Sequence, residues 1–454
     1  MTALLAACIA YQLNASMLSP ALKTMARELN TTESAVGLSQ TVFFTLAALF
    51  SLFLPRFSDI VGRRKVLCWT LAIMAAGSVI AALAPNIQIL LFGRAIQGVS
   101  GPVIQIVLLM LRVEINDAKK YGLLLGVVTS VNGGIAGVDA IAGGYLVTHA
   151  GFRAIFWVIA VTAILATLLV QFVTPESKPS AGTQMDWLGV IPLVISVGSL
   201  LVGLNGITSA AEANWGLAAA CALVAVAAFA VFFLVEKGSK HPLVAPEHLY
   251  RRATWSLLLT TTLTLTGVYA AVYGVIASLA QNREAGFGLP ADVTSLIILT
   301  PFALIGWVVG PFSGRLGPAV GYRRVMRYGL VACIVALLVS ATAGLHSLSV
   351  LIVCVLVLGI AYVGTANIML NGLGIVLSPV GNPGFLPGLN AGAFNLGAGL
   401  SFAALTAIQA AGTPAGSSSL RGYSNAILAG ALITAVALGI SFLIPKPPAD
   451  ADLS

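Results

Sequence analysis

The chain has 454 residues, of which 58% are hydrophobic and only 8% charged, with a formal net charge of +8 and a mean hydropathy of +0.99. A soluble protein carries about 25% charged residues, so this composition excludes a soluble fold and describes a chain that crosses a bilayer many times. The positive excess does not point to nucleic acid, because the lysines and arginines gather in alternate loops, as orientation in a membrane requires.

Fourteen apolar segments, each near the roughly 20 residues that span a bilayer core, are predicted at about 3–22, 36–54, 66–84, 87–111, 121–147, 153–173, 187–207, 215–235, 253–280, 291–312, 325–344, 347–377, 386–411 and 423–444. The first starts almost at Met1 and carries polar residues, so it is expected to be a spanning helix rather than a cleaved leader. The expected fold class is therefore all-α, a polytopic membrane protein with 14 transmembrane helices. Two polar stretches, 174–186 and 236–252, isolate one pair of helices and divide the chain 6 + 2 + 6. The expected units are an N-terminal six-helix bundle at 1–174, two linker helices at 175–252, and a C-terminal six-helix bundle with a short tail at 253–454. Seventeen loop lysines and arginines follow even-numbered segments or lie in the tail, against five (Lys23, Arg27, Arg153, Arg283 and Arg421) after odd-numbered ones. That bias predicts a cell-membrane protein with both termini cytoplasmic.

In chain order, the first concentrated signal is the loop after segment 2, Ser58 to Lys65 (SDIVGRRK). Asp59 sits near a helix end, Gly62 permits a tight turn, and Arg63 and Arg64 are free to pair across to another helix, with Arg112 and Glu114 as candidate partners. A related stretch, Pro311 to Arg324 (PFSGRLGPAVGYRR), follows the second helix of the second six, as in transporters built from parallel six-helix repeats. Segment 4 contains Arg94 and Gln97, which share a face with Gly101 and Gln105. An arginine at that depth needs water, carbonyls or an acid, or must snorkel to the interface.

Segment 5 holds Asp139, the acid that interrupts an apolar segment interior. A carboxylate there must lose its charge, find a cation or face a water-filled cavity. Thr129, Asn132, Ala136, Asp139 and Gly143 fall on one stripe, and Gly143 and Gly144 let another helix come close. In the second half, Thr262, Thr266, Tyr269 and Tyr273 form a polar and aromatic stripe, and Asn367 and Asn371 form another. Such groups suit either a ligand cavity or contact between helices. Asn14 and Ser16 place an amide and a hydroxyl in segment 1. The five cysteines lie inside apolar segments without disulfide or metal spacing. A nucleotide-binding Gly-x-x-x-x-Gly-Lys-Ser/Thr loop and a nucleophile–base pair are both lacking, so neither ATP-driven transport nor an enzyme is expected. No cofactor is expected.

The Ser58–Lys65 loop resembles the loop between helices 2 and 3 of the major facilitator superfamily, written Gly-x-x-x-Asp-x-x-Gly-Arg-Arg/Lys; Asp59, Gly62, Arg63 and Arg64 match, while Pro55 stands at the first glycine. The resemblance implies a cytoplasmic gate at Asp59, Gly62, Arg63, Arg64 and Arg112. Segment 4 looks like the family's Arg-x-x-Gln-Gly motif, which implies that Arg94 takes part in proton transfer. Segment 5 keeps the paired glycines of the antiporter motif but has Asp139 in place of its Gly-Pro. Leu13-Asn14-Ala15-Ser16 resembles the Leu-Asp-x-Thr of fourteen-helix drug antiporters, with an amide for the acid. Met185-Asp186-Trp187-Leu188-Gly189, His241-Pro242-Leu243-Val244 and the glycine-rich 388–400 segment also resemble that branch, so the likeness runs along nearly the whole chain.

The function this implies is proton-coupled efflux of hydrophobic or amphipathic small molecules, drugs and antibiotics among them, by alternating access. Asp139 and Arg94 would couple the proton. Asn14, Gln97, Asn132, Thr266, Tyr269, Tyr273, Asn367 and Asn371 would contact the substrate. The alternative is a facilitator or importer of a small metabolite, anions included, without proton antiport, and a membrane sensor that moves nothing is a third. The partners expected are a small-molecule substrate, protons and the lipid bilayer, with no nucleic acid, for a chain acting as a monomer.

Overall fold

A computed structural model describes residues 1–114, 118–176, 185, 187–205, 214–239, 246–378, 385–413 and 419–446; within these, the side chains of 112–114, 118–127, 129–134, 204–205, 246 and 248 fall outside the description. The described chain forms fourteen long helices. They are α1 Thr2–Glu28, α2 Glu33–Val61, α3 Arg63–Ala82, α4 Ile87–Leu111, α5 Ala118–Ala150, α6 Phe152–Val173, α7 Trp187–Asn205, α8 Trp215–Gly238, α9 Arg252–Gln281, α10 Ala291–Val320, α11 Tyr322–Ser340, α12 Leu348–Val376, α13 Phe385–Gly412 and α14 Arg421–Ser441. Among the described residues, eleven are both long and apolar enough to cross a bilayer; α5, α7 and α11 complete the set.

Local chemistry sets several of the helix starts. Thr32, Asn86, Asn214 and Ser347 each accept a hydrogen bond from a backbone N–H in the following turn, at the heads of α2, α4, α8 and α12. Several helices are also interrupted. α1 tightens into a 3₁₀ turn at Ser19–Ala21, where Pro20 lies, and α4 does so at Gly98–Ser100, just ahead of Pro102. Proline cannot continue the backbone ladder of the preceding turn. π turns widen α9 at Ala271–Ile276, α10 at Ser295–Leu299 and α12 at Gly359–Ala366, a device often found beside functional groups.

α1 packs against α5 and α6, α3 against α4 and α6, and α2 against α4; α9 packs against α13 and α14, α11 against α12 and α14, and α10 against α12. The two sets meet where α2 runs along α13 and α5 along α10. Second helix thus meets fifth helix twice, which is the pattern a pseudo-twofold axis demands. α7 and α8 pack on each other, and α7 leans on the outside of α2, where Val190, Leu193 and Phe232 cluster with Leu49 and Phe53. Leu223, Val226, Phe229 and Leu234 of α8 remain exposed, as a lipid-facing helix requires.

The repeat seen in the sequence has the same backbone in both copies. Gly62 has φ 115° and ψ 129°, and Gly321 has φ 103° and ψ 124°. Both lie in a region that only glycine enters without strain. Two residues on, Arg64 donates to the carbonyl of Thr174 after α6 at 3.2 Å, and Arg323 donates to the carbonyl of Ile444 after α14 at 2.7 Å. Each half therefore closes its sixth helix onto its second loop.

Candidate functional site

Two buried polar groups sit on either side of α1. Arg94 of α4 is 0% exposed. Its Nη1 donates to Gln97 Oε1 at 2.7 Å and to Asn14 Oδ1 at 2.9 Å, and its Nη2 donates to Gln40 Oε1 of α2. The guanidinium also lies 4.2 Å from the centre of the Phe43 ring, a cation–π contact. Gln97 passes the network on, donating to Ser78 at 2.7 Å. Among the described residues no carboxylate pairs with Arg94; amide oxygens and a ring hold the charge. Hydrogen bonds to a charged group contribute about 1.5–3 kcal/mol each, so this set offsets much of the cost of burying the ion. α3 and α4 approach closely enough to seal it because Gly77 and Gly93 face one another; a Cβ on either would lie within 3.0 Å of the other's carbonyl oxygen.

Asp139 is 2% exposed. Ser16 of α1 donates to its Oδ2 at 2.5 Å and is itself held by Gln12 at 2.7 Å, while Oδ1 finds no hydrogen-bond partner among the described residues. Asn14 and Ser16 are two residues apart, about 200° around a helix, so Arg94 and Asp139 address opposite faces of α1 and do not pair. Around Asp139, α5 is wedged between both halves. Gly143 lies against Met17 of α1, Gly144 lies against Ala291 and Asp292 of α10, and Thr300 of α10 donates to the Gly137 carbonyl at 2.8 Å.

The other half supplies rings. Tyr269 lies edge-on to Phe44 of α2 with centroids 5.4 Å apart, is 4.9 Å from Tyr273, and meets Phe402 of α13 at 6.0 Å. Tyr273 continues to Phe302 at 5.5 Å, and Phe302 stacks with Tyr362 at 6.4 Å. With Phe43 packed on Phe44 at 4.9 Å, aromatic rings run unbroken from Arg94 in one half to Tyr362 in the other.

The structure brings together Asn14, Gln97 and Arg94, and separately Tyr269 and Tyr273. Thr266 is turned to helix contact, donating to the Gly397 carbonyl of α13 at 3.3 Å and to the Thr262 carbonyl in its own helix at 2.7 Å. Asn367 and Asn371 bond to each other at 2.9 Å, and Asn371 is exposed, so neither joins the buried cluster. The side chains of Asn132 and Arg112 lie outside the described residues. In the loop, Asp59 pairs with Arg63 one turn on at 2.8 Å, Arg63 caps the Leu109 carbonyl of α4 at 2.8 Å, and the Arg64 backbone N–H reaches Glu176 at 2.9 Å. Sequence reasoning missed Gln40, Phe43 and Glu176, and it named Ser16 without joining it to Asp139. Gln40 was the one with a signal, an amide inside an apolar segment and one turn from Phe43.

The sequence profile of the Major Facilitator Superfamily matches residues 4–189. A uridine/deoxyuridine transporter of Lactococcus lactis is 48% identical over 98% of this chain and 94% of its own length. The chain belongs to the major facilitator superfamily. It is a multi-pass membrane protein and a secondary transporter, not an enzyme. More distant is the multidrug resistance protein Stp of Mycobacterium tuberculosis, 25% identical over 80% of this chain and 67% of its own. Among solved structures, the nucleoside transporter NupG aligns with a TM-score of 0.63 and 13% identity over 98% of this chain and 99% of its own. A peptide transporter of the POT family aligns with a TM-score of 0.71 and 13% identity over 98% and 94%. At those identities the likeness is one of fold. For this major facilitator, then, the ring cluster lies where the two sets of helices meet, with the Arg94 network beside it in the first set.

Proposed function

We propose that this protein carries pyrimidine nucleosides such as uridine across the cell membrane by alternating access, as an importer. The observation that carries this reading is the 48% identity to a uridine/deoxyuridine transporter, which extends over 98% of the chain. The geometry supports it. A flat base is bound by stacking on aromatic rings and by amides at its edge, and Tyr269, Tyr273 and Phe44 lie near the Asn14–Arg94–Gln97 network. Efflux of amphipathic drugs has weaker support, from relatives near 25% identity.

In this account the units are 1–174, 175–252 and 253–454, the arginine-rich ends of the helices face the cytoplasm, and both termini lie there. Glu33 accepts hydrogen bonds from Ser278 and Gln409, and the Asp292 backbone N–H donates to Thr148; these bonds then close the outer face, making this an inward-facing state. Asp139 carries the proton. It sits buried at the junction of the halves with one hydroxyl donor and, among the described residues, no ion-paired cation, the setting of a group that exchanges a proton with the cycle. The Asp59–Arg63 cluster forms the cytoplasmic latch.

The test is uptake of radiolabelled uridine into proteoliposomes holding the purified protein. Saturable uptake, competed by deoxyuridine and not by an amphipathic cation such as ethidium, is expected. Transport of ethidium without uridine uptake would restore the efflux reading.

A further inference from the structure

Tyr11 of α1 and Asn395 of α13 have been given no role above, yet they join the two halves beside the ring cluster. The Tyr11 hydroxyl donates to Asn395 Oδ1 at 3.2 Å. Both keep a little accessible surface, 7% and 8%. Tyr269 keeps more, although Phe44, Tyr273 and Phe402 surround it. Side chains from three helices at the centre of a bundle reach solvent only through an internal space, so these three form part of its wall.

The hydrogen bond from Tyr11 also fixes what Asn395 offers to that space. A carboxamide has an acceptor oxygen and a donor NH2 group. With Oδ1 taken by the hydroxyl, the free function is Nδ2, which donates to no described protein group. The wall therefore presents an oriented hydrogen-bond donor next to aromatic faces.

We propose that Asn395, oriented by Tyr11, donates to the 4-carbonyl oxygen of the pyrimidine ring and so selects uracil-type over cytosine-type nucleosides. This rests on the nucleoside reading above. Uracil and thymine carry an acceptor at position 4. Cytosine carries an amino group there, which sets donor against donor and leaves both unpaired, the arrangement that rejects a near-isosteric ligand most effectively. Tyr11 is a positioning residue, acting through Asn395.

The experiment measures the KM for uridine and the inhibition constant of cytidine in proteoliposomes for the wild type, Asn395→Leu and Tyr11→Phe. Asn395→Leu removes the donor, so the uridine KM rises by roughly three- to tenfold, the size of one neutral hydrogen bond, while cytidine does not weaken and the preference collapses. Tyr11→Phe keeps the ring but frees the carboxamide to turn its oxygen inward, so cytidine binds more tightly and the preference narrows. A hydrogen bond that merely braces the halves would shift both nucleosides together; an unchanged uridine-to-cytidine ratio in the variants overturns the proposal. Should Asn395→Leu fail to insert, the ratio in Tyr11→Phe decides alone. Absence of uridine uptake by the wild type would instead refute the nucleoside reading itself.

Discussion

Replacing Asp139 by Asn separates a proton carrier from a structural group, because the structure fixes how little else should change. The amide is isosteric with the carboxyl. Its oxygen can accept from Ser16, which now donates to Oδ2 at 2.5 Å, and its NH2 group can occupy the place of Oδ1, which has no partner among the described residues. One neutral hydrogen bond is worth about 0.5–1.5 kcal/mol, and an unmade buried donor costs about 1–3 kcal/mol. The Ser16 bond is kept, so the change is the cost of one unmade donor, about 1–3 kcal/mol, a Tm shift of roughly 1–3 °C for 454 residues. Function should respond far more. A symporter moving one proton per nucleoside accumulates substrate about tenfold per unit of pH gradient, since one pH unit is 1.36 kcal/mol. In vesicles with acid outside, the wild type should approach that ratio and Asp139→Asn should stop at equilibrium. Exchange of labelled for unlabelled uridine without a gradient should survive, because the neutral side chain can still pass between states. Accumulation by Asp139→Asn at the wild-type ratio would refute the carrier role. Loss of both modes together with a large fall in Tm would show that the carboxyl is structural.

Three further outcomes follow from the geometry. Gly62→Ala forces a side chain onto φ 115° and puts its Cβ 2.8 Å from Glu176 Oε1, whereas Gly321→Ala at φ 103° meets nothing within 4 Å; both bear about 1–3 kcal/mol of backbone strain, so thermal-shift measurements should show the larger loss at Gly62. Asp59→Asn breaks the pairing with Arg63 and should slow uridine uptake at normal expression, and wild-type uptake would dismiss the latch. Tyr269→Ala removes a ring that meets Phe44, Tyr273 and Phe402 and should raise the uridine KM about tenfold, while Tyr269→Phe, which keeps the ring face, should stay near wild type.

The helices were legible because a bilayer demands long apolar runs. Arg94 and Asp139 stood out for the same reason in reverse, as charges inside apolar runs. Their separation was not legible, since it depends on Asn14 and Ser16 pointing to opposite sides of α1. Helical spacing says that Asn367 and Asn371 share a face but not which way that face turns, and in the structure they serve each other. Tyr11 and Asn395 are 384 residues apart, and no local pattern joins them. The loop at Asp59 marks the superfamily but carries no information on cargo, which side chains from several helices read together. That is why the motifs led to drug efflux while the whole-chain likeness favours a nucleoside.

Entrance counterflow tests the central claim most directly. Proteoliposomes loaded with unlabelled uridine are diluted into a trace of labelled uridine, with no pH or ion gradient. The account predicts a transient rise of internal label above its equilibrium level, abolished when external deoxyuridine is in excess, because one site must face each side in turn. Vesicles in which label never exceeds the level of protein-free controls would contradict it.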